Sequence, residues 1–261
     1  MAKIPDEIPN VLACDVGNSA IHFAHVKGDT VTPMQTMRMG ELAELGSALK
    51  TLWEQVPKPR KIVACSVNAA GLKALEAAAS ETLAEQVVVI GRDLPLPIDT
   101  DLPQPGSIGV DRLCAAVAAF DRLGVACVVA DMGTAITIDC VNDEGIFVGG
   151  AILPGLRMGM AALHANTSQL PEVELAEPKW VFGKSTQEAI VGGLIFGARG
   201  ALRELVESYA TELGHWPTLI LTGGDATLVG HHMLEEGLVQ AIVPDLVIRG
   251  VAMAYYRTFL K

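Results

Sequence analysis

Two stretches of this chain follow one pattern, so the fold has to accommodate two related units. From Leu12 the chain reads LACDVGNSAIHFAHVKGDTV, and from Val129 it reads VADMGTAITIDCVNDEGIFV. Aligning Asp15 with Asp131 offsets the copies by 131 − 15 = 116 residues. In each copy an apolar run ends at an Asp, and a Gly follows two positions later. Small hydroxyl or amide residues come next (Asn18-Ser19; Thr134-Ala135), then alternating apolar residues and a second turn (Lys27-Gly28-Asp29; Asn142 to Gly145). This predicts strand, tight turn, strand, hairpin, strand, twice. The offset is far longer than a solenoid period, so the repeat marks a duplicated domain.

The segments around the copies support two α/β units. Helical spacing of Leu42, Leu45, Leu49, Leu52 and Val56 predicts a helix over 41–56. Residues 61–67 and 86–90 read as strands, with an Ala-rich helix at 69–83 between them. Residues 93–107 hold four Pro and read as an extended loop. Helices are expected at 111–123, after the Pro154-Gly155 turn as far as Leu170, over 186–213 and over 248–260; a strand is expected at 218–221. The order β-β-β-α-β-α then begins again. We divide the chain into 1–117 and 118–261.

Composition excludes several classes. Of 261 residues 50% are hydrophobic and 19% charged, with a net charge of −11; the mean hydropathy is +0.37 and the pI about 5.0. That supplies a core and argues against disorder. Without a Lys/Arg cluster, nucleic acid is not the expected partner. No uncharged run of 18 or more apolar residues exists, so no membrane span is expected. The segment MAKIPDEIPN is not a signal peptide. Five cysteines, three of them in apolar strand-like runs and none with metal-ligand spacing, read as structural thiols of a reducing cytoplasm.

The residues that carry chemistry cluster at the ends of the apolar runs. Gly17 permits a tight turn, Asn18 and Ser19 supply donors, and Asp15 is placed to reach a Mg²⁺ ion, so Asp15-Val16-Gly17-Asn18-Ser19 is a candidate phosphate loop. Asp131-Met132-Gly133-Thr134-Ala135 is its partner. A carboxylate ending an apolar strand is costly without a cation or donors, which directs attention to Asp131. Two such units facing each other across a cleft can hold a polyphosphate between their turns. In Gly109-Val110-Asp111-Arg112, Asp111 opens a helix, where the dipole favours an ionised carboxylate. It is a candidate acceptor for a hydroxyl proton in phosphoryl transfer, with Arg112 as an anion clamp. Thr222-Gly223-Gly224-Asp225 follows a strand and permits close backbone approach. His231-His232 lacks a third ligand and reads as surface or packing. Lys184 is no Walker A lysine, because Lys179 stands where the first Gly is required.

As a set, these residues resemble the type III pantothenate kinase family of the actin-like and sugar-kinase ATPase superfamily. Asp15 to Ser19 matches the family's Asp-x-Gly-Asn-Thr loop with Ser for Thr. Gly109 to Arg112 matches Gly-x-Asp-Arg, and Asp131 to Ala135 matches Asp-x-Gly-Thr-Ala. Pro154-Gly155-Leu156, Thr167 to Pro171, Gly183 to Thr186 (with Ser185 for Asn), Pro244-Asp245-Leu246 and Gly250 follow in order. The resemblance implies two related ribonuclease-H-like domains, a duplicated actin-like ATPase fold with a cleft between them. It further implies an ATP-dependent kinase that phosphorylates pantothenate in the first step of coenzyme A biosynthesis, with Asp111 as proton acceptor. Asp15, Val16, Gly17, Asn18, Ser19, Ala20, Ile21 and His22 would contact ATP phosphates, with Gly133 and Thr134. Gly109, Val110, Asp111, Arg112 and Thr186 would line the pantothenate site. Asp131 would bind K⁺ or NH₄⁺, Mg²⁺ would arrive with ATP, and the chain would form a homodimer, for which the helix 156–163 is the candidate surface. One position departs from the pattern: Leu102 stands where the family usually has a Tyr.

Two rivals share the fold. A phosphatase of the superfamily needs a carboxylate that activates water, whereas Asp111 lies in a substrate-type motif beside Arg112. A catalytically silent, dimeric regulatory protein would lack the loop Asp or the base, and both Asp15 and Asp111 are present.

Overall fold

The computed structural model describes residues 9–259; the N-terminal segment 1–8 and the expected end of the closing helix at Leu260 lie outside the described residues. The chain forms two compact units, residues 1–122 with 245–261, and residues 123–244. These units part at 122/123, within one residue of the end of the helix 110–123, where the sequence reading places the division at 117/118, and the last helix belongs to the first unit.

The first unit opens with β1 (Asn10–Val16), β2 (Ala20–Lys27), β3 (Thr30–Val31) and β4 (Gln35–Arg38). A 3-10 turn over Met39–Glu44 leads into α1 (Leu45–Gln55), and β5 (Arg60–Ser66), α2 (Ala69–Ala78), β6 (Val87–Val89) and α3 (Val110–Leu123) follow. The second unit contains β7 (Cys127–Met132), β8 (Ala135–Val141), β9 (Phe147–Pro154), α4 (Leu156–Ala165), α5 (Thr186–Leu213), β10 (Thr218–Thr222), α6 (Ala226–Glu235) and β11 (Ala241–Ile242). The chain ends in α7 (Leu246–Tyr256) and a short 3-10 turn.

The two sheets have one topology. The first runs β3-β2-β1-β5-β6, with β4 also paired to β2, and the second runs β9-β8-β7-β10-β11. In each, the first strand is antiparallel to the second and parallel to the fourth. The duplication read from sequence is therefore a duplication of strand order. Parallel pairs need a crossover, and helices supply it: α2 lies between β5 and β6, and α6 between β10 and β11.

Strand alternation sorts the side chains of the first sheet. Leu12, Cys14, Val16, Ile62 and Ala64 join Leu45, Leu49, Leu52 and Trp53 of α1 and Leu75 of α2 in one core. Each such apolar side chain contributes about 1.5–3 kcal/mol when fully buried. Arg60 closes α1 by donating from Nη1 to the Val56 carbonyl at 2.8 Å and to the Trp53 carbonyl. The other face carries Ala13, Asp15 and Cys65 and meets α3 and α7. There Gly250 of α7 lies so close to Cys114 of α3 that a Cβ would strike its carbonyl, and the Tyr256 hydroxyl donates to the Val26 carbonyl at 2.9 Å. In the second unit Val128, Ala130, Met132, Ile136 and Ile138 pack with Ile195 and Leu202 of α5 and with Val229 and Met233 of α6.

Candidate active site

In the first unit, β1 delivers Asp15 half-buried at its C-terminal end, level with His22 of β2 and Cys65 of β5. The turn closes with the Gly17 N–H donating to the Ala20 carbonyl at 3.0 Å, and Asn18 and Ser19 stand exposed at its tip. Gly17 matters for close packing: a Cβ there would meet the Ala20 carbonyl at 3.3 Å. Val16 and Ile21 are both 0% exposed, so their side chains serve the core. Ala20 to His22 are paired with β1 and β4. His22 Nδ1 lies 2.9 Å from the Thr36 hydroxyl, and burial holds its pKa below the ordinary imidazole value.

Asp111 sits in the first turn of α3, with its Oδ1 accepting from the Arg112 N–H at 2.8 Å. Burial raises its pKa, against the opposing pull of the Arg112 N–H, the Arg112 charge and its own N–H. Gly109 leaves it room, since a Cβ there would lie 2.5 Å from Asp111 Oδ1. Asp15 and Asp111 thus stand in one unit, Asp15 at the end of β1 and Asp111 at the start of α3.

The second unit repeats the arrangement with a turn one residue shorter. Val16 pairs with Ile21 in the first unit, whereas Met132 pairs with Ile136 in the second. The Gly133 N–H donates to the Ala135 carbonyl at 3.2 Å, and Thr134 is exposed at the tip. Asp131 is half-buried, opposite Thr222 of β10 and Thr137 of β8. Two glycines hold neighbouring chain against this turn. A Cβ on Gly155 would strike the Gly133 and Thr134 carbonyls, and one on Gly223 would strike Asp131 Oδ1. Gly223 also has φ +93°, a left-handed value that favours glycine. The Thr222-Gly223-Gly224-Asp225 segment thus uses its first glycine to reach Asp131, and the Asp225 N–H donates to the Met132 carbonyl at 3.0 Å. Gly224 has open space around it.

The remaining candidates stand on other elements. Thr186 is the first residue of α5 and is exposed, positioned by the Ser185 hydroxyl, which accepts from the Glu188 N–H at 3.2 Å. Leu102 is half-buried in the 93–107 loop, its N–H held by the Thr100 hydroxyl at 2.9 Å. His231 and His232 are exposed and lie near Glu235, and among the described residues no group of three His, Cys, Asp or Glu is disposed to hold a metal ion. Lys184 is exposed, with its ammonium 5.8 Å from the Trp180 ring. The sequence reading missed Cys65 and Cys114, because a cysteine inside an apolar run carries no signal beyond hydrophobicity.

Two sheets of one strand order, each ending a central strand in an Asp beside a polar turn, define the duplicated fold of the actin-like ATPases and sugar kinases. A solved structure of a putative 2-dehydro-3-deoxygalactonokinase from Sinorhizobium meliloti has this fold, with TM-score 0.56 and 15% identity over 96% of each chain. The sequence model of type III pantothenate kinase matches residues 11–208. A type III pantothenate kinase of Legionella pneumophila (strain Paris) is 33% identical over 255 residues, 94% of this chain and 97% of its own. One of Dehalococcoides mccartyi is 29% identical over 254 residues, 94% and 96% of the two chains. This chain belongs to the type III pantothenate kinase family and is an enzyme of the kinase class.

Proposed function

We propose that this protein transfers the γ-phosphoryl group of ATP to the primary hydroxyl of pantothenate, the step that opens coenzyme A synthesis. The observation that carries the reading is the placement, within one unit, of Asp15 beside the exposed Asn18-Ser19 turn and of Asp111 in the first turn of α3. Phosphoryl transfer needs both a cation-binding carboxylate and a proton acceptor.

Asp111 accepts the hydroxyl proton. The transition state is loose, so the carboxylate mainly orients the alcohol and takes its proton late. Arg112, next in the helix, binds an anionic group of the substrate or the transferring phosphoryl. Gly109, Val110 and Thr186 belong to the pantothenate site. Asn18 and Ser19, and Gly133 with Thr134, donate to phosphate oxygens. Mg²⁺ of this kind needs one or two carboxylates besides the phosphates, and Asp15, half-buried beside an exposed polar turn, fits that demand. Asp131, facing Thr222 and Thr137, offers oxygen ligands that suit K⁺ or NH₄⁺. Such an ion supplies positive charge beside the phosphates.

The resemblance further implies a homodimer, and exposed Ile152 on β9 and Met158 on α4 provide apolar surface for it. All five cysteines are free and buried, which supports a reducing cytoplasm. No helix among the described residues is long and apolar enough to cross a membrane.

The test is a coupled ADP-release assay with pantothenate, ATP and Mg²⁺, run in K⁺ and then in Na⁺ alone. ADP release that requires both pantothenate and K⁺ is expected. Release without pantothenate points to a phosphatase. No release from well-folded protein points to Leu102 as the mark of a different hydroxyl substrate, or to a silent regulatory protein.

A further inference from the structure

Two buried groups beside Asp15 play no part in the chemistry above. Cys65 is the last residue but one of β5 and Cys114 lies in α3, and each is 0% exposed. Cys65 is level with Asp15 in the parallel β1–β5 register, and its thiol donates to Asp15 Oδ1 at 3.4 Å. A second buried thiol, Cys114, interacts with Cys65 and lies three residues along α3 from Asp111.

The choice of donor has a physical consequence. A carboxylate that receives a cation must be oriented without losing its charge. An Arg or Lys in this place would pair with Asp15 and compete with Mg²⁺ for it. A thiol is neutral and a weak donor, so it fixes an oxygen and leaves the charge available. Fully buried, Cys65 is an inert thiol rather than a redox sensor.

We propose that Cys65, backed by Cys114, is a positioning residue that aims the Asp15 carboxylate at the Mg²⁺ of the nucleotide. The inference rests on Asp15 having that role, and its test reads nucleotide binding apart from pantothenate turnover.

Full-length wild type, Cys65→Ala and Cys65→Ser are compared by calorimetric titration with MgATP in the absence of pantothenate, then by steady-state kinetics. Cys65→Ala is expected to weaken MgATP binding about tenfold, the loss for one weak hydrogen bond to a charged group, and to raise KM for MgATP while leaving KM for pantothenate unchanged. Cys65→Ser, whose hydroxyl donates in the same place, is expected to restore binding to near wild type. A merely structural Cys65 would lower the melting temperature without separating the two KM values. Wild-type MgATP affinity in Cys65→Ala, or a loss in Cys65→Ser equal to that in Cys65→Ala, overturns the proposal. Because binding is read without pantothenate, a wrong substrate assignment leaves the expected difference in place. Wild-type protein without measurable affinity for MgATP overturns the proposal together with the nucleotide reading. Should Cys65→Ala fail to fold, infrared spectroscopy decides. The S–H stretch that disappears in Cys65→Ser is expected to rise in frequency in Asp15→Asn, and an unmoved band overturns the hydrogen bond itself.

Discussion

Asp111 is held under two opposed demands. Burial favours its neutral form, while the Arg112 N–H and charge favour the carboxylate that a proton acceptor needs. Its raised pKa means that the folded protein holds this proton more tightly than the unfolded chain does. The group's contribution to stability therefore falls as pH climbs from the ordinary value of 3.8 through the raised one, and stays low above it. Asp111→Asn removes the buried charge. It is expected to lower kcat by about 10²- to 10⁴-fold, the range for a lost general base, and to melt at or slightly above the wild-type temperature at neutral pH. That thermal advantage should vanish in acid. Near-normal turnover, or a melting temperature well below wild type, would count against the assignment. In the wild type, kcat/KM should fall with acidification along a limb centred above 3.8, since activity requires the ionised form.

At the scale of elements, glycine separates tight contacts from open ones. Gly250→Ala drives a Cβ into the Cys114 carbonyl of α3. Because backbone has to move, the expected loss is about 3 kcal/mol or more, at the upper end for overpacking, measured by urea unfolding. Gly193 in α5 is exposed with no atom within 4 Å of an added Cβ. Gly193→Ala should therefore gain about 0.5–1 kcal/mol, the helix-propensity difference. Equal effects at the two sites would show that the α3–α7 approach is looser than described.

The same scale shows what was legible in the sequence. An apolar run ending at an Asp located β1 and β7, which are buried along nearly their whole length, and the turn with the alternation after it located β2 and β8. The shorter second turn did not hide the repeat, since the lost residue comes from the turn and leaves the inward-facing register intact. Helix α6 was missed although Ala226, Val229, Gly230 and Met233 are its buried residues and follow helical spacing. The exposed His231-His232 pair and Gly230 masked that stripe. Strand β4 was missed because four residues with one buried side chain, Met37, carry too little pattern. The helix expected to run to Leu170 stops at Ala165, where the Asn166 amide and the Thr167 hydroxyl turn back onto the Ala162 and Leu163 carbonyls. Asp15 and Asp131 were legible as charges ending apolar runs, and Asp111 as an acid opening a helix. The donors around them were not, because the Cys65 thiol and the closeness of Gly223 depend on strands far apart in sequence.

At the scale of the molecule, the order of the chain and the order of its units disagree, and this has a consequence for folding. The second unit is continuous, residues 123–244, whereas the first must wait for residues 245–261. The returning helix is no accessory: Leu246, Val247, Ile248, Val251, Ala252, Ala254 and Tyr256 are all buried, and α7 packs on β1, β2 and β5. At about 1.5–3 kcal/mol for each larger apolar side chain, losing them is comparable to the roughly 5–15 kcal/mol that keeps a domain folded. A fragment spanning 123–244 is therefore expected to unfold cooperatively in urea, with native-like helical circular dichroism. A fragment spanning 1–122 should show no cooperative transition until a peptide covering 245–261 is added. If 1–122 folds alone with wild-type sharpness, the sheet and α3 suffice, and α7 contributes far less than its burial implies. If the peptide restores the transition, then β1, which carries Asp15, and α3, which carries Asp111, are held in their folded places by a segment more than 120 residues further along the chain.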